Sequence, residues 1–157
     1  MNARNDRRPD EPTARGTGNA DPFAVEELAV DACWDYLRSA HVGRLAVCIG
    51  GRPHLVRINF ILHRRSIVFR TAEGTKLAAL PRAEVAFEVD DYDPRTRCAT
   101  SVIVAGRATE VTEPDEWESA QSLPLFPWHV APKPHFVRIV PDRVTGRTFR
   151  AAYIADG

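Results

Sequence analysis

The stretch Gly43-Arg44-Leu45-Ala46-Val47-Cys48-Ile49, followed by Gly50-Gly51-Arg52-Pro53 and then by His54 through Leu62, decides the fold class. The first run is apolar and β-branched. The Gly-Gly-Arg-Pro after it supplies residues for a chain reversal, and the third run reads as the returning strand. His63-Arg64-Arg65-Ser66 is a second polar turn, and Ile67–Arg70 a third strand. Connections of about four residues between consecutive strands describe an antiparallel meander.

Downstream, Gly74 to Leu80 reads as a short helical piece stopped by Pro81. Glu84–Asp91 is a strand, Tyr92–Arg97 a polar loop and Ser101–Val111 a long strand. Pro114 suits the first position of a helix running towards Ser122, with Thr112 or Glu113 before it. Leu123–Pro134 holds four prolines and is irregular, and His135–Val140 with Thr145–Arg150 gives a last strand or pair of strands. Upstream, Val25, Leu28, Ala32, Tyr36 and Leu37 recur at helical spacing between Pro22 and Ala40, in a helix that ends near Ser39. About six strands with two or three short helices, and no βαβ rhythm, make a mainly β fold: a small antiparallel barrel with peripheral helices.

A chain of 157 residues fits one domain. Residues 1–21 are polar and read as a disordered tail, leaving 22–157 as the folded unit. Lys plus Arg is 21 and Asp plus Glu is 21, so no overall field attracts nucleic acid or an anionic membrane. No apolar run reaches the roughly 18 residues of a membrane span, and the N-terminus lacks the apolar stretch of a secretory signal. A cytoplasmic protein with no nucleic-acid or membrane partner is expected. Cys33, Cys48 and Cys98 have no metal-ligand spacing; the first two, in apolar segments, read as buried free thiols.

The segment Ile67-Val68-Phe69-Arg70-Thr71-Ala72-Glu73-Gly74-Thr75-Lys76-Leu77 carries the densest chemistry. A strand enters a Gly-containing turn and then a helix, offering two cations (Arg70, Lys76), two hydroxyls (Thr71, Thr75) and the unpaired amides of a helix start. Such a corner suits an anion; a capped helix with exposed basic residues reads equally well. It lacks the spacing of a Walker loop. Asn59, amid apolar neighbours in Arg57-Ile58-Asn59-Phe60, is either a polar contact on one barrel face or an edge residue satisfied by water. His54, His129 and His135 fit no standard metal-ligand spacing and read as exposed loop histidines, so no metal is expected. Asp90-Asp91-Tyr92-Asp93 reads as a solvated turn, lacking the Gly and Glu of an EF-hand loop.

Gly43-Arg44-Leu45-Ala46, Gly51-Arg52-Pro53, Ile58-Asn59-Phe60 and the run from Phe69 to Leu77 resemble successive blocks of the pyridoxamine 5′-phosphate oxidase-like proteins. The match is closest to an actinobacterial branch. Phe87-Glu88-Val89-Asp90, Ser101-Val102-Ile103-Val104, Gly106-Arg107-Ala108 and Pro127-Trp128 continue it in order, so that it spans roughly residues 28 to 149. The resemblance implies a six-stranded split β-barrel, a homodimer, and FMN at the subunit interface. It implies that Arg70, Thr71, Thr75 and Lys76 hold the FMN phosphate and that the isoalloxazine lies along Ile58, Asn59 and Phe60. Ser101 and Trp128 stand near the ring, from the same or the partner subunit.

Two positions depart from that pattern: Arg57 replaces a usual Pro, and Thr100 a usual Trp before Ser101-Val102. Arg57 either adds a donor to the flavin or points outward; Thr100 removes an aromatic wall. The activity implied is a flavin-dependent oxidoreductase acting on a small molecule, with no protein acid or base identifiable. The alternatives are a reductase using the deazaflavin F420, a non-catalytic flavin- or haem-binding carrier or sensor, and a dimeric interaction module with an empty cleft. Oxidation of pyridoxamine phosphate itself is not expected, because its C-terminal arginine motif is unmatched; Arg147 and Arg150 are the nearest candidates.

Overall fold

A computed structural model of the chain describes residues 25–71, 80, 82–125 and 135–150. The expected tail (1–21), most of the helical piece from Gly74, and the Pro-rich 126–134 lie outside the described residues. The elements are β1 (Val25–Glu27), α1 (Val30–Ser39), β2 (Val42–Ile49), β3 (Arg52–His63), β4 (Ser66–Thr71), β5 (Glu84–Asp93), β6 (Cys98–Glu110), α2 (Pro114–Gln121) and β7 (His135–Arg150). All pairings are antiparallel, in the order β1-β7-β4-β3-β2-β5-β6, and a further β6–β7 ladder closes the last six strands into a ring. The expected six-stranded barrel is thus present.

Alternation builds its interior. In β5, Val85, Phe87 and Val89 are buried while Glu84, Ala86 and Asp90 face out, the period-2 signature of a sheet with one dry face. Leu45 and Val47 of β2, Phe60 of β3, Ile67 and Phe69 of β4, and Val102 and Val104 of β6 complete the core. Phe60 meets Phe87 edge-to-face with centroids 4.8 Å apart. Each such fully buried side chain contributes roughly 1.5–3 kcal/mol.

Helix α1 adds Cys33, Trp34 and Leu37 to that core. These lie on one helical face, and Arg38 in its last turn complements the helix dipole. It ends at Ser39 as expected but starts only at Val30. Val25–Glu27, taken into the helix on spacing alone, is instead a strand paired with Phe149, Thr148 and Arg147 of β7. A long-range edge overrides the local period there. Helix α2 opens with Pro114 behind Glu113, and buried Ala120 joins Val68, Val111 and Phe136 in a second cluster outside the barrel wall.

Of the two readings of the last segment, a strand or a pair of strands, β7 is one strand, with a bulge where Gly106 pairs with Pro141 and Ala105 with Arg143. Three other expectations are corrected. Cys48 is exposed because it faces outward on β2; only Cys33 is a buried thiol. Asp90 to Asp93 extend β5 rather than forming a turn. His135, read both as the start of the last strand and as an exposed loop histidine, opens β7.

Candidate functional site

The barrel wall opens between β3 and β4. Their ladder runs only from Phe60↔Phe69 to His63↔Ser66, so Asn59 on β3 and Arg70 on β4 are the first residues beyond its end. β4 remains paired with β7 on its other edge as far as Thr71↔His135. Before Phe60, β3 is bordered by β2 alone among the described strands. The Arg57-to-Phe60 and Arg70-Thr71 segments therefore flank the place where the wall parts.

Side-chain direction sorts them. Phe60 is 4% exposed and belongs to the core, and its N–H donates to the His41 carbonyl at 3.1 Å. Ile58 packs on the same core. Asn59 and Arg57 alternate with them and so face outward. Arg70 also faces outward, its guanidinium 5.1 Å over the ring of Phe136, a cation–π contact that fixes the head of a long side chain. Thr71 is half-buried on the inward side. The outer surface thus carries Arg57, Asn59 and Arg70, backed by Ile58, Phe60 and Thr71.

Arg57 is exposed and lines a cleft of about 250 Å³ with Val42, Gly43, Arg44, Val89 and Asp90. There Arg44 pairs with Asp90, whose bond and charge push the guanidinium pKa further up. Ser101 stands apart: β6 is diametrically across the six-strand ring from β3, and its hydroxyl donates to Glu88 at 3.0 Å. Thr100 faces Thr148, with hydroxyls 3.3 Å apart, and its carbonyl accepts the Tyr36 hydroxyl at 3.4 Å. That position lies on the inward side of the wall, away from Asn59. Thr75, Lys76 and Trp128 lie outside the described residues.

One pair was not anticipated. His135 Nδ1–H donates to Glu110 Oε1 at 2.6 Å, beside Thr71. The residues are 25 apart in sequence; that His135 starts a strand was legible, that it faces Glu110 was not. No group of three metal-ligating side chains occurs among the described residues, nor any helix long and apolar enough to cross a membrane.

A family model described as pyridoxamine 5′-phosphate oxidase matches residues 29–148. The chain belongs to the pyridoxamine 5′-phosphate oxidase family. Within the family, an uncharacterized protein of Mycobacterium tuberculosis is 34% identical over 128 residues, covering 78% of this chain and 84% of its own. A FAD-binding protein of Mycobacterium smegmatis is 39% identical, with a TM-score of 0.68 over 79% of this chain and 97% of that one. A FAD-binding protein of Mesorhizobium loti is 25% identical, with a TM-score of 0.65 over 79% and 97%. The family match covers every strand of the barrel ring except the last two residues of β7.

Proposed function

We propose that the chain binds a flavin nucleotide, FMN, where β3 and β4 part, and that it serves as a flavin-dependent oxidoreductase acting on a small molecule. The observation that carries this reading is the end of the β3–β4 ladder at Phe60↔Phe69, which leaves Asn59 and Arg70 as the next residue on each strand at the opening of the wall. The donor set fits the group. Arg70 offers a fork for phosphate oxygens, Thr71 a hydroxyl, and Asn59 an amide for the heteroatoms of a planar ring. Thr75 and Lys76, next in sequence, belong to the same set. A bound flavin supplies hydride and electron chemistry; the chain holds, orients and partly covers it. Arg57 would extend the cationic surface along the ring.

Two relatives that bind FAD support a second reading of the cofactor, since FAD carries the same isoalloxazine with a longer anionic tail. The protein would act as a homodimer. Along the outward face, Leu55, Ala46, Ala86 and Ala105 stand side by side in register on β3, β2, β5 and β6. Leu55 is 68% exposed, and three alanines allow close approach of a second sheet. Ser101, on the far side of the ring from Asn59, would then serve the partner's flavin.

Fluorescence titration with FMN, FAD, riboflavin and F420 tests the reading. FMN or FAD should bind tightly, and Arg70→Ala combined with Lys76→Ala should weaken binding without unfolding the chain. Each charge-assisted phosphate bond contributes about 1.5–3 kcal/mol, so the double variant loses about a hundredfold to ten-thousandfold in affinity. A double variant that binds FMN and FAD as tightly as the parent refutes the assignment.

A further inference from the structure

The inward-facing residues of three adjacent strands change character at one level of the barrel. In β4, Ile67 and Phe69 are followed by Thr71; in β7, Ile139 and Val137 are preceded by His135; in β6, Val104 and Ala108 are followed by Glu110. Thr71 and His135 are direct cross-strand partners, and His135 is bonded to Glu110 at 2.6 Å. The two side chains of that pair are 25% and 29% exposed. A partly buried imidazole–carboxylate pair costs desolvation that apolar residues would not, so its place beneath this corner needs a reason.

β4 ends at Thr71, beside the same pair. Leu80 is buried in the core, and the Arg82 N–H donates to the carbonyl of Ala108 at 2.8 Å, two residues before Glu110. The pair thus lies between the end of β4 and the Arg82–Ala108 bond.

We propose that His135, held by Glu110, is a positioning residue for Thr71, the inward-facing hydroxyl of the anion-binding corner. The carboxylate accepts Nδ1–H and so sets both tautomer and ring orientation. The fixed ring is the wall against which Thr71 is set, so that its hydroxyl is held for the phosphate without ordering cost on binding, while Arg70 is held on the outer face by Phe136. This rests on the reading of the corner as the flavin-phosphate site.

The test compares FMN with riboflavin, which differ by the phosphate alone, in fluorescence titrations of the full chain and its His135→Ala, Glu110→Ala and Glu110→Gln variants. The preference for FMN over riboflavin should fall about tenfold in both alanine variants, while riboflavin affinity holds. Glu110→Gln keeps an acceptor for Nδ1–H and should keep the preference. Equal losses for both ligands mean a structural role only and overturn the proposal, as does an unchanged preference in folded alanine variants. Should His135→Ala fail to fold by circular dichroism, Glu110→Ala with its Gln counterpart decides alone. A parent chain with no preference for FMN overturns the phosphate reading, and this assignment with it.

Discussion

Gly106 of β6 lies against the backbone of Val140 in β7, so close that a Cβ on the glycine would stand 2.1 Å from the Val140 carbonyl oxygen. The contact sits at the bulge, where the β6 register passes from Pro141 to Arg143 and skips Asp142. A bulge tolerates Pro141, which has no N–H to give a ladder. Gly106→Ala should cost about 3 kcal/mol, because backbone cannot retreat as a flexible side chain would. Urea unfolding should show a lower midpoint at unchanged slope. Gly51→Ala, with φ +74° and nothing within 4 Å, should cost only the left-handed penalty of about 1–2 kcal/mol.

The same bulge explains what the sequence conveyed and what it hid. Before it, odd-numbered Val137 and Ile139 face the core; after it, even-numbered Val144 does. One extra residue inverts the alternation, which is why the sequence leaves a single strand or a pair open there. Where no bulge intervenes, as in β5, alternation and turn residues sufficed. The three-residue β1 was illegible because Val-Glu-Glu has no period of its own and forms only by pairing with β7. At the candidate site, Asn59 and Arg70 were legible separately, through an Asn in a strand and cations after one; their juxtaposition depends on register. The Glu110–His135 pair has no local signature, since it joins strands 25 residues apart.

The β3–β4 connection predicts a stabilising change. Arg64 and Arg65 have φ of +48° and +56° between the paired His63 and Ser66, a two-residue hairpin loop whose twist favours Asn-Gly. Arg64→Asn with Arg65→Gly should stabilise the chain by about 1 kcal/mol. The change gives up the exposed Arg65–Asp31 pair, worth less than about 1 kcal/mol. Thermal unfolding should shift up by about 2–4 °C; an unchanged or lower midpoint would show that the strain is relieved elsewhere.

Tyr36 gives the fold an alkaline limit. Burial first, then the charges of Asp91 and Asp90, push its phenol above the ordinary value of 10.0. A raised folded pKa means the native state holds its proton longer than the unfolded chain. The associated stability is fully present below pH 10 and is lost as pH rises through the folded value. Tyr36→Phe removes this dependence. The stability difference between parent and variant should be flat from pH 7 to about 9 and should swing towards the variant above 10; parallel profiles throughout would contradict it.

The outward row of Leu55, Ala46, Ala86 and Ala105 separates a dimer from a monomer. Its flanks carry both signs, Arg44 and Arg57 beside Glu88 and Asp90, a pattern that can complement itself across a two-fold axis. Ala86 is exposed, so Ala86→Arg leaves the core intact while placing like charges face to face on the axis. Light scattering should find the parent dimeric and the variant monomeric, with identical circular dichroism. If Ser101, across the ring from Asn59, serves the partner's flavin as proposed, flavin affinity should fall in the variant as well. A dimer that survives the substitution moves the interface to another face; a monomeric parent that binds flavin fully would show that each barrel completes its own site.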